Sequence, residues 1–341
     1  MLSMVIDNEI DQFIVRHVEE HPTDIVRFAA EKFEHSRQSI HRRVRNLVGA
    51  NVLSAVGQTR ARRYALVTLV DKQLELDLED LQEDVVWREA IAPDLARFSE
   101  NIRRIAQYGF TEILNNAIVH SRGDTATIGI RMTAANAEFA VWDDGIGIFR
   151  KIKEELSLED ERHSILELSK GKLTTNPARH SGEGIFFTTR AFDDFAILSG
   201  ELRFMHDLDG DWLVDERHFT RGTAVIMTLD LFTQRTLRSV FDRFTNDEDD
   251  FGFTRTRFPI FLAKYGDESL VSRSQAKRVV ARLDRFKEAV LDFEGVSTIG
   301  QAFADEIFRV FQSDHPDVHI TWVNANTEVT SMIRRALTKS I

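Results

Sequence analysis

The residue types best suited to chemistry lie between positions 112 and 223. Glu112, Asn116 and His120 follow one another at i, i+4 and i+8. In a helix that spacing stands a carboxylate, an amide and an imidazole in one row on one face. Such a row can serve a metal–phosphate group, and it is equally what a solvated helix face looks like. Asp143-Asp144-Gly145-Ile146-Gly147 closes a strand-like run from Phe139 to Trp142. Its glycines, Gly145 and Gly147, permit backbone angles that other residues avoid and let a ligand approach the main chain. Asp143 at the strand end can accept a hydrogen bond from an exocyclic amine, although an ordinary Asp–Gly turn accounts for it too. His180-Ser181-Gly182-Glu183-Gly184 leads into Ile185-Phe186-Phe187. A glycine-rich entry to a helix, here Gly182 and Gly184, presents free N–H groups to an anion, or simply begins a helix. Arg221-Gly222-Thr223 precedes an alternating run to Leu229, and Thr223 can bond a nearby Asp, a water, or only its own turn. Lys172 and Arg179 sit closest to the glycines and are the cations best placed to neutralise phosphate; Lys151, Lys153 and Lys170 lie in the same segment.

These residues require a long helix, a strand ending in a glycine turn, and a second strand beside it. Phe98, Ile102, Ile105 and Ala106, then Ile113, Leu114 and Ala117, recur at helical spacing and give the helix an apolar side opposite the polar row. The chain of 341 residues has room for two or three domains at roughly 100–200 residues each. With 43% apolar and 29% charged residues it has ordinary globular usage, which excludes collagen, global disorder and a coiled coil. No cysteine is present, so disulfide scaffolds, iron–sulfur clusters and cysteine-ligated zinc are excluded. No apolar run approaches about eighteen residues, and the first residues lack a basic head followed by an apolar core. A cytoplasmic protein without a membrane span is expected.

The formal charge is −11, which by itself argues against nucleic acid. The charges are segregated, however. Ser36 to Arg63 contains Arg37, Arg42, Arg43, Arg45, Arg60, Arg62 and Arg63 and no acid, whereas Asp71 to Asp84 is strongly acidic and reads as a connector. A second acidic run, 247–250, suggests another break, giving segments 1–68, 69–245 and 246–341. The first reads as three short helices, the second capped by Thr23 and the third by Ser36 or Ser39 and stopped by Gly49. Two strands around Gly57 then form a hairpin. This resembles a winged helix-turn-helix domain, which implies DNA contact. Arg37, Gln38, His41, Arg42 and Arg45 of the third helix would face the major groove, and Arg60, Arg62 and Arg63 of the wing would meet phosphates. A wing used for protein contacts, with solvated arginines, is the alternative.

The four motifs of the middle segment, in this order and spacing over Phe98 to Leu229, resemble the GHKL ATP-binding superfamily, which includes gyrase and the histidine-kinase catalytic domains. The resemblance implies ATP and Mg²⁺. Glu112, Asn116 and His120 match the N box, with Asn116 coordinating Mg²⁺ and Glu112 orienting or deprotonating the attacking group. Asp143, Gly145 and Gly147 match the box that receives adenine. Gly182 and Gly184 match the glycines beside the triphosphate, and Thr223 matches the threonine next to the adenine-binding Asp. The segment 149–180 would be the lid, with Lys172 on phosphate. The second glycine box departs from the pattern, because Arg179-His180-Ser181 stands where a leading glycine is usual.

In the last segment, strands at Phe258–Leu262, Ala289–Phe293 and His319–Asn324 alternate with helices at Ser272–Phe286, around Ile299–Phe311 and at Val329–Leu337, implying a largely parallel sheet. It resembles a STAS-like domain, in which the position of the phosphorylated serine is taken by Ala302, with Ser297 and Thr298 nearby. The fold class expected is multidomain α/β (α+β): a winged helix, a GHKL α/β sandwich with a mixed sheet, and a STAS-like α/β domain. The function expected is an ATP-binding regulator that contacts DNA through its first segment and a protein partner, or a second copy in a homodimer, through its last. The alternatives are a serine/threonine kinase of the anti-sigma-factor type and a scaffold that ATP merely stabilises.

Overall fold

The computed structural model describes the chain except residues 1–5, 7, 174–181, 208–209, 246–251, 265–267 and 339–341, and except the side chains of Arg60 and of 217–219. Arg179, His180, Ser181 and the acidic run 247–250 therefore lie outside the described residues. The chain begins with three helices, α1 (Glu9–His17), α2 (Ile25–Lys32) and α3 (Arg37–Gly49), and an antiparallel hairpin of β1 (Leu53–Val56) and β2 (Arg63–Leu66). Ser36 caps α3, its hydroxyl accepting from Ser39 N at 3.2 Å. The cap position of α2 is Asp24 rather than Thr23. Gly49 is the last helical residue, and the left-handed residue that turns the chain is Asn51. Ile14, Val15, Ile25, Ala29, Ile40, Val44, Leu47 and Tyr64 form a small core of their own, which reaches Ala134, Ala135 and Phe232 of the next segment.

The central sheet has five strands in the order β3 (Val70–Asp77), β4 (Thr125–Met132), β5 (Asn136–Asp143), β7 (Gly210–Asp230), β6 (Asp194–Asp207). All four ladders are antiparallel, where a mixed sheet was expected. The crossover from β5 skips one place before β6, and β7 returns through a hairpin to fill that place antiparallel to both neighbours. Alternate residues along the strands, such as Ile128, Ile130, Phe139, Val141, Val225 and Met227, point into the core. The acidic stretch expected as a connector is itself β3, the sheet edge: Val70, Leu74 and Leu76 face inward while Asp71, Glu75 and Asp77 face water. Charges on an exposed edge discourage pairing with another chain.

Two short helices, α4 (Glu83–Val86) and α5 (Ala92–Leu95), joined by a π turn, lead to α6 (Glu100–His120), which crosses the sheet. Beyond β5 come α7 (Ile148–Leu156), α8 (Glu161–Lys170) and α9 (Gly184–Ala191). Gly109 lets α6 approach α9, since a side chain there would enter the Phe192 ring.

After α10 (Leu237–Phe241) the last segment forms a three-stranded parallel sheet in the order β10 (His319–Val323), β9 (Glu288–Asp292), β8 (Arg255–Pro259). Its helices are α11 (Arg273–Val280), α12 (Gln301–Asp305), continued by a π turn into α13 (Gln312–Asp314), and α14 (Thr327–Thr338). β8 ends where Pro259 removes a backbone donor, so the strand lies three residues before the expected one. α11 stops at Val280, well short of Phe286, because Arg282 adopts a left-handed backbone (φ 63°). Ala302 is exposed at the start of α12, and the Thr298 hydroxyl donates to Glu328 at 3.1 Å.

One continuous core runs across the expected boundary near 246. The Phe253 ring lies 4.5 Å from Phe186, 4.9 Å from Phe187 and 5.2 Å from Phe286, centroid to centroid. Phe253→Ala should therefore lower unfolding free energy by about 3–5 kcal/mol. Denaturant titration of the full chain, with the m-value unchanged, checks this.

Candidate functional site

α6 carries Glu112, Asn116 and His120 along one face, while Ile113, Leu114 and Ala117 are buried on the other. The three polar residues line a cavity of about 350 Å³ whose far wall is the end of β5 and the adjoining stretch of β7. Asp143, Gly147, Gly182, Gly184 and Thr223 line the same cavity, so the separated motifs meet in one place. Its apolar lining includes Val141, Ile148, Ile152, Val225 and Ile185. Flat hydrophobic walls with a few convergent polar groups suit a ring-bearing ligand.

The β5–β7 ladder places Asp143 directly opposite Thr223. Asp143 Oδ1 accepts from Gly145 N at 2.9 Å and Thr223 N at 3.3 Å. The Thr223 hydroxyl oxygen accepts from Ile148 N at 2.9 Å, tying β7 to the first turn of α7. Gly147 (φ 89°) and Gly222 (φ 72°) occupy left-handed backbone, and a side chain on Gly222 would strike the Asp143 carbonyl. Burial pushes the Asp143 carboxyl up; the Gly145 and Thr223 amides oppose it. The adjacent Asp144 is structural. Its Oδ1 accepts from Asp124 N at 2.9 Å and Thr125 N at 3.0 Å, bonds that hold its carboxyl below the usual range.

Gly184 opens α9 against Glu112, and a Cβ there would overlap Glu112 Oε2. Burial raises the Glu112 carboxyl first, and the negative charges of Glu83 and Glu183 raise it further. The carbonyl of Gly182 (φ 70°) accepts from Leu173 N at 3.0 Å, bringing Leu173 and Gly182 together at a neck; 174–181 lie outside the described residues. Gly145 stands behind the cavity, where a side chain would strike the Ser121 carbonyl; it positions Asp143 rather than lining the pocket.

Lys172 departs from expectation. Its ammonium donates to the Arg285 carbonyl at 2.7 Å and sits 4.8 Å from the Phe286 ring centroid, turned towards the last segment and away from the cavity wall. The lysine in the wall is Lys151, which donates to the His120 carbonyl at 3.0 Å and lies 3.7 Å from Glu155. Burial is the main cause lowering its pKa. Helical periodicity carries this signal: Lys151 is one turn beyond Gly147 and Ile148, on the side that Ile148 and Ile152 present to the cavity.

In the first segment Arg37, Gln38, Arg42 and Arg45 are exposed on α3 opposite buried Ile40, Val44 and Leu47, and His41 is half-buried. Arg62 and Arg63 are exposed on the hairpin, with Arg62 over the Tyr64 ring at 5.7 Å. The side chain of Arg60 lies outside the described residues. Arg43 instead pairs inward with Asp11 at 3.2 Å.

Residues 74–203 match the family model of the histidine kinase-like ATPase domain. That stretch is similar to histidine kinase-like ATPase domains. Residues 275–330 match the model of a STAS-like domain of unknown function. No curated protein matches the chain. The first match covers α6, the Asp143 turn and the glycine entry to α9, and so most of the cavity lining; Thr223 and Val225 lie beyond it.

Asp143→Asn separates folding from binding. A carboxyl whose folded pKa is raised gives stability that is complete below its ordinary value and lost as pH rises through the folded value. At neutral pH the Asn variant should melt at or above the wild-type temperature, with the gap closing as pH falls. Calorimetric scans between about pH 4 and pH 8 check the sign.

Proposed function

We propose that this chain is an ATP-dependent regulator in which nucleotide occupancy of the cavity governs DNA contact by the first segment. The observation that carries the nucleotide half is the buried Asp143 carboxylate at one end of the cavity, with the Glu112–Asn116–His120 row along the other wall. The residues present fit the group. Asp143 offers an acceptor for an exocyclic amine, the aliphatic walls take a flat base, and Gly182 and Gly184 line the cavity, with Gly184 placed where a Cβ would overlap Glu112.

Asn116 and His120 would hold Mg²⁺ and the phosphates, with Lys151 as the nearby cation. The metal, when bound, offsets phosphate charge. Glu112, whose carboxyl burial pushes up, takes up the proton of an attacking water. The charges of Glu83 and Glu183 add to that upward push. Labelled ATP separates this reading from a protein kinase, which leaves label on protein, and from a scaffold, which releases no phosphate.

Support for the DNA half is the acid-free face of α3 with its exposed arginines and the hairpin arginines beside it, the arrangement of a winged helix. No helix of the described residues is long and apolar enough to cross a membrane. The STAS-like segment supplies a partner surface or the contact of a homodimer.

Two outcomes are expected. Glu112→Ala keeps ATP binding within about threefold but loses more than tenfold in phosphate release, measured in a coupled assay; undiminished release removes Glu112 from its role. Arg42→Glu with Arg45→Glu weakens duplex binding and reduces the slope of log K against log salt by about two, one unit for each phosphate no longer neutralised. Fluorescence anisotropy at several salt concentrations reads both.

A further inference from the structure

The cavity has a wall that belongs to neither the α6 row nor the β5 turn. Leu168, Leu173 and Phe186 form it, and Phe186 is backed by Phe253 of the last segment. Phe186 packs on Phe244 at 4.9 Å and Phe253 at 4.5 Å, and Gly171 leaves room for the Phe253 ring, which a Cβ would meet at 2.6 Å.

A polar cluster fastens this wall. Lys170, the last residue of α8, is completely buried. Its three ammonium donors go to Glu167 Oε1 at 2.6 Å, the Arg278 carbonyl at 2.8 Å and the Ala281 carbonyl at 3.0 Å. Two of these acceptors close the C-terminal end of α11, where backbone carbonyls lack helical partners and favour a cation. Glu167 Oε2 in turn accepts from Arg282 Nη1 at 2.5 Å. Arg282 Nη2 reaches the Lys172 carbonyl at 2.6 Å and the Gly171 carbonyl at 3.2 Å. Arg285 donates to the Lys172 carbonyl at 3.1 Å, and Thr256 donates to the Lys170 carbonyl at 2.7 Å. Arg282 and Lys172 both hold left-handed backbone, φ 63° and 51°. Two non-glycine residues in that region persist only where their surroundings fix them. A buried lysine is costly unless each donor is met, so the Lys170 site exists only while α11 is docked against it.

We infer that the STAS-like segment sets the affinity of the nucleotide cavity, with Lys170, Glu167 and Arg282 as positioning residues that hold the neck between Leu173 and Gly182. The inference rests on the nucleotide reading above and adds its control. Leu173 N donates to the Gly182 carbonyl at 3.0 Å, so the backbone that Arg282 grips is one residue from the backbone that presents the glycine entry of α9. A partner that pulls α11 away strands the Lys170 ammonium and frees the Lys172 carbonyl beside the Leu173–Gly182 bond; a nucleotide that binds more tightly with that bond held strengthens the docking of α11 by the same factor.

The test compares Arg282→Met with wild type in the full chain, by calorimetric titration of Mg·ATP and of adenosine. The expected result is a dissociation constant for ATP raised about tenfold, with that for adenosine within about twofold, because the neck borders the glycine entry and not the Asp143 end. Arg282→Lys, which keeps the Glu167 contact, should recover part of the loss. Parallel weakening of both ligands means a merely structural role and overturns the inference, as does no change in either. Should the Met variant not fold, hydrogen exchange of wild type decides: amides of 278–285 must become more protected with ATP, and unchanged protection overturns the inference. Wild type that takes up no ATP defeats the nucleotide reading and this inference with it; wild type that binds while the variant binds equally well defeats the inference alone.

Discussion

The site depends on one pairing, Asp143 opposite Thr223 across the β5–β7 ladder. Antiparallel register is fixed to the residue, because a slip of one position would turn Phe139, Val141, Val225 and Met227 out of the core. That apolar requirement, spread along two strands, is what holds a buried carboxylate where two backbone amides meet it. Burial pushes its carboxyl up, and the amides oppose that push. The pocket therefore has at one end an acceptor created by sheet packing. At the other end stands a polar row created by the helical period of α6, and the two ends are joined through the shared core and by Ile146 N, which donates to the Ser121 carbonyl at 3.0 Å.

The motifs were legible because each is local: a helix face, a strand end with two glycines, a glycine entry and a Gly–Thr turn all announce themselves within ten residues. The parallel strands β9 and β10 and the helix α14 were legible for the same reason, as short apolar runs with clear breaks. What was not legible depends on distant chain. Lys172 looks like a phosphate ligand by its nearness to Gly182, but its direction is set by the Arg285 carbonyl and the Phe286 ring. The end of α11 depends on Arg282 adopting a left-handed backbone to reach Glu167. The edge strand β3 hid behind its acids, although Val70, Leu74 and Leu76 kept the two-residue period that a half-buried strand needs.

The shared core changes what the segments mean. The ATPase and STAS-like portions each match a separate family model, yet Phe186, Phe244, Phe253 and Phe286 interlock across the division. A STAS-like unit free to detach would need a polar surface on that side. Instead its β8 and α11 bury apolar rings and the Lys170 ammonium of its neighbour. The segment is a wall of the ATPase rather than an appendage, and any partner it recruits acts on a surface that already carries the cavity.

The first segment is joined differently. Its core touches Ala134, Ala135 and Phe232, and Arg16 pairs with Asp230 at 2.7 Å. These contacts lie at the Asn136–Asp230 end of the same β5–β7 ladder whose other end holds Asp143 and Thr223. Seven residue steps at about 3.4 Å place the two ends about 24 Å apart. The arginine-bearing first segment and the cavity thus sit at opposite ends of one antiparallel ladder, joined by a register that the core fixes.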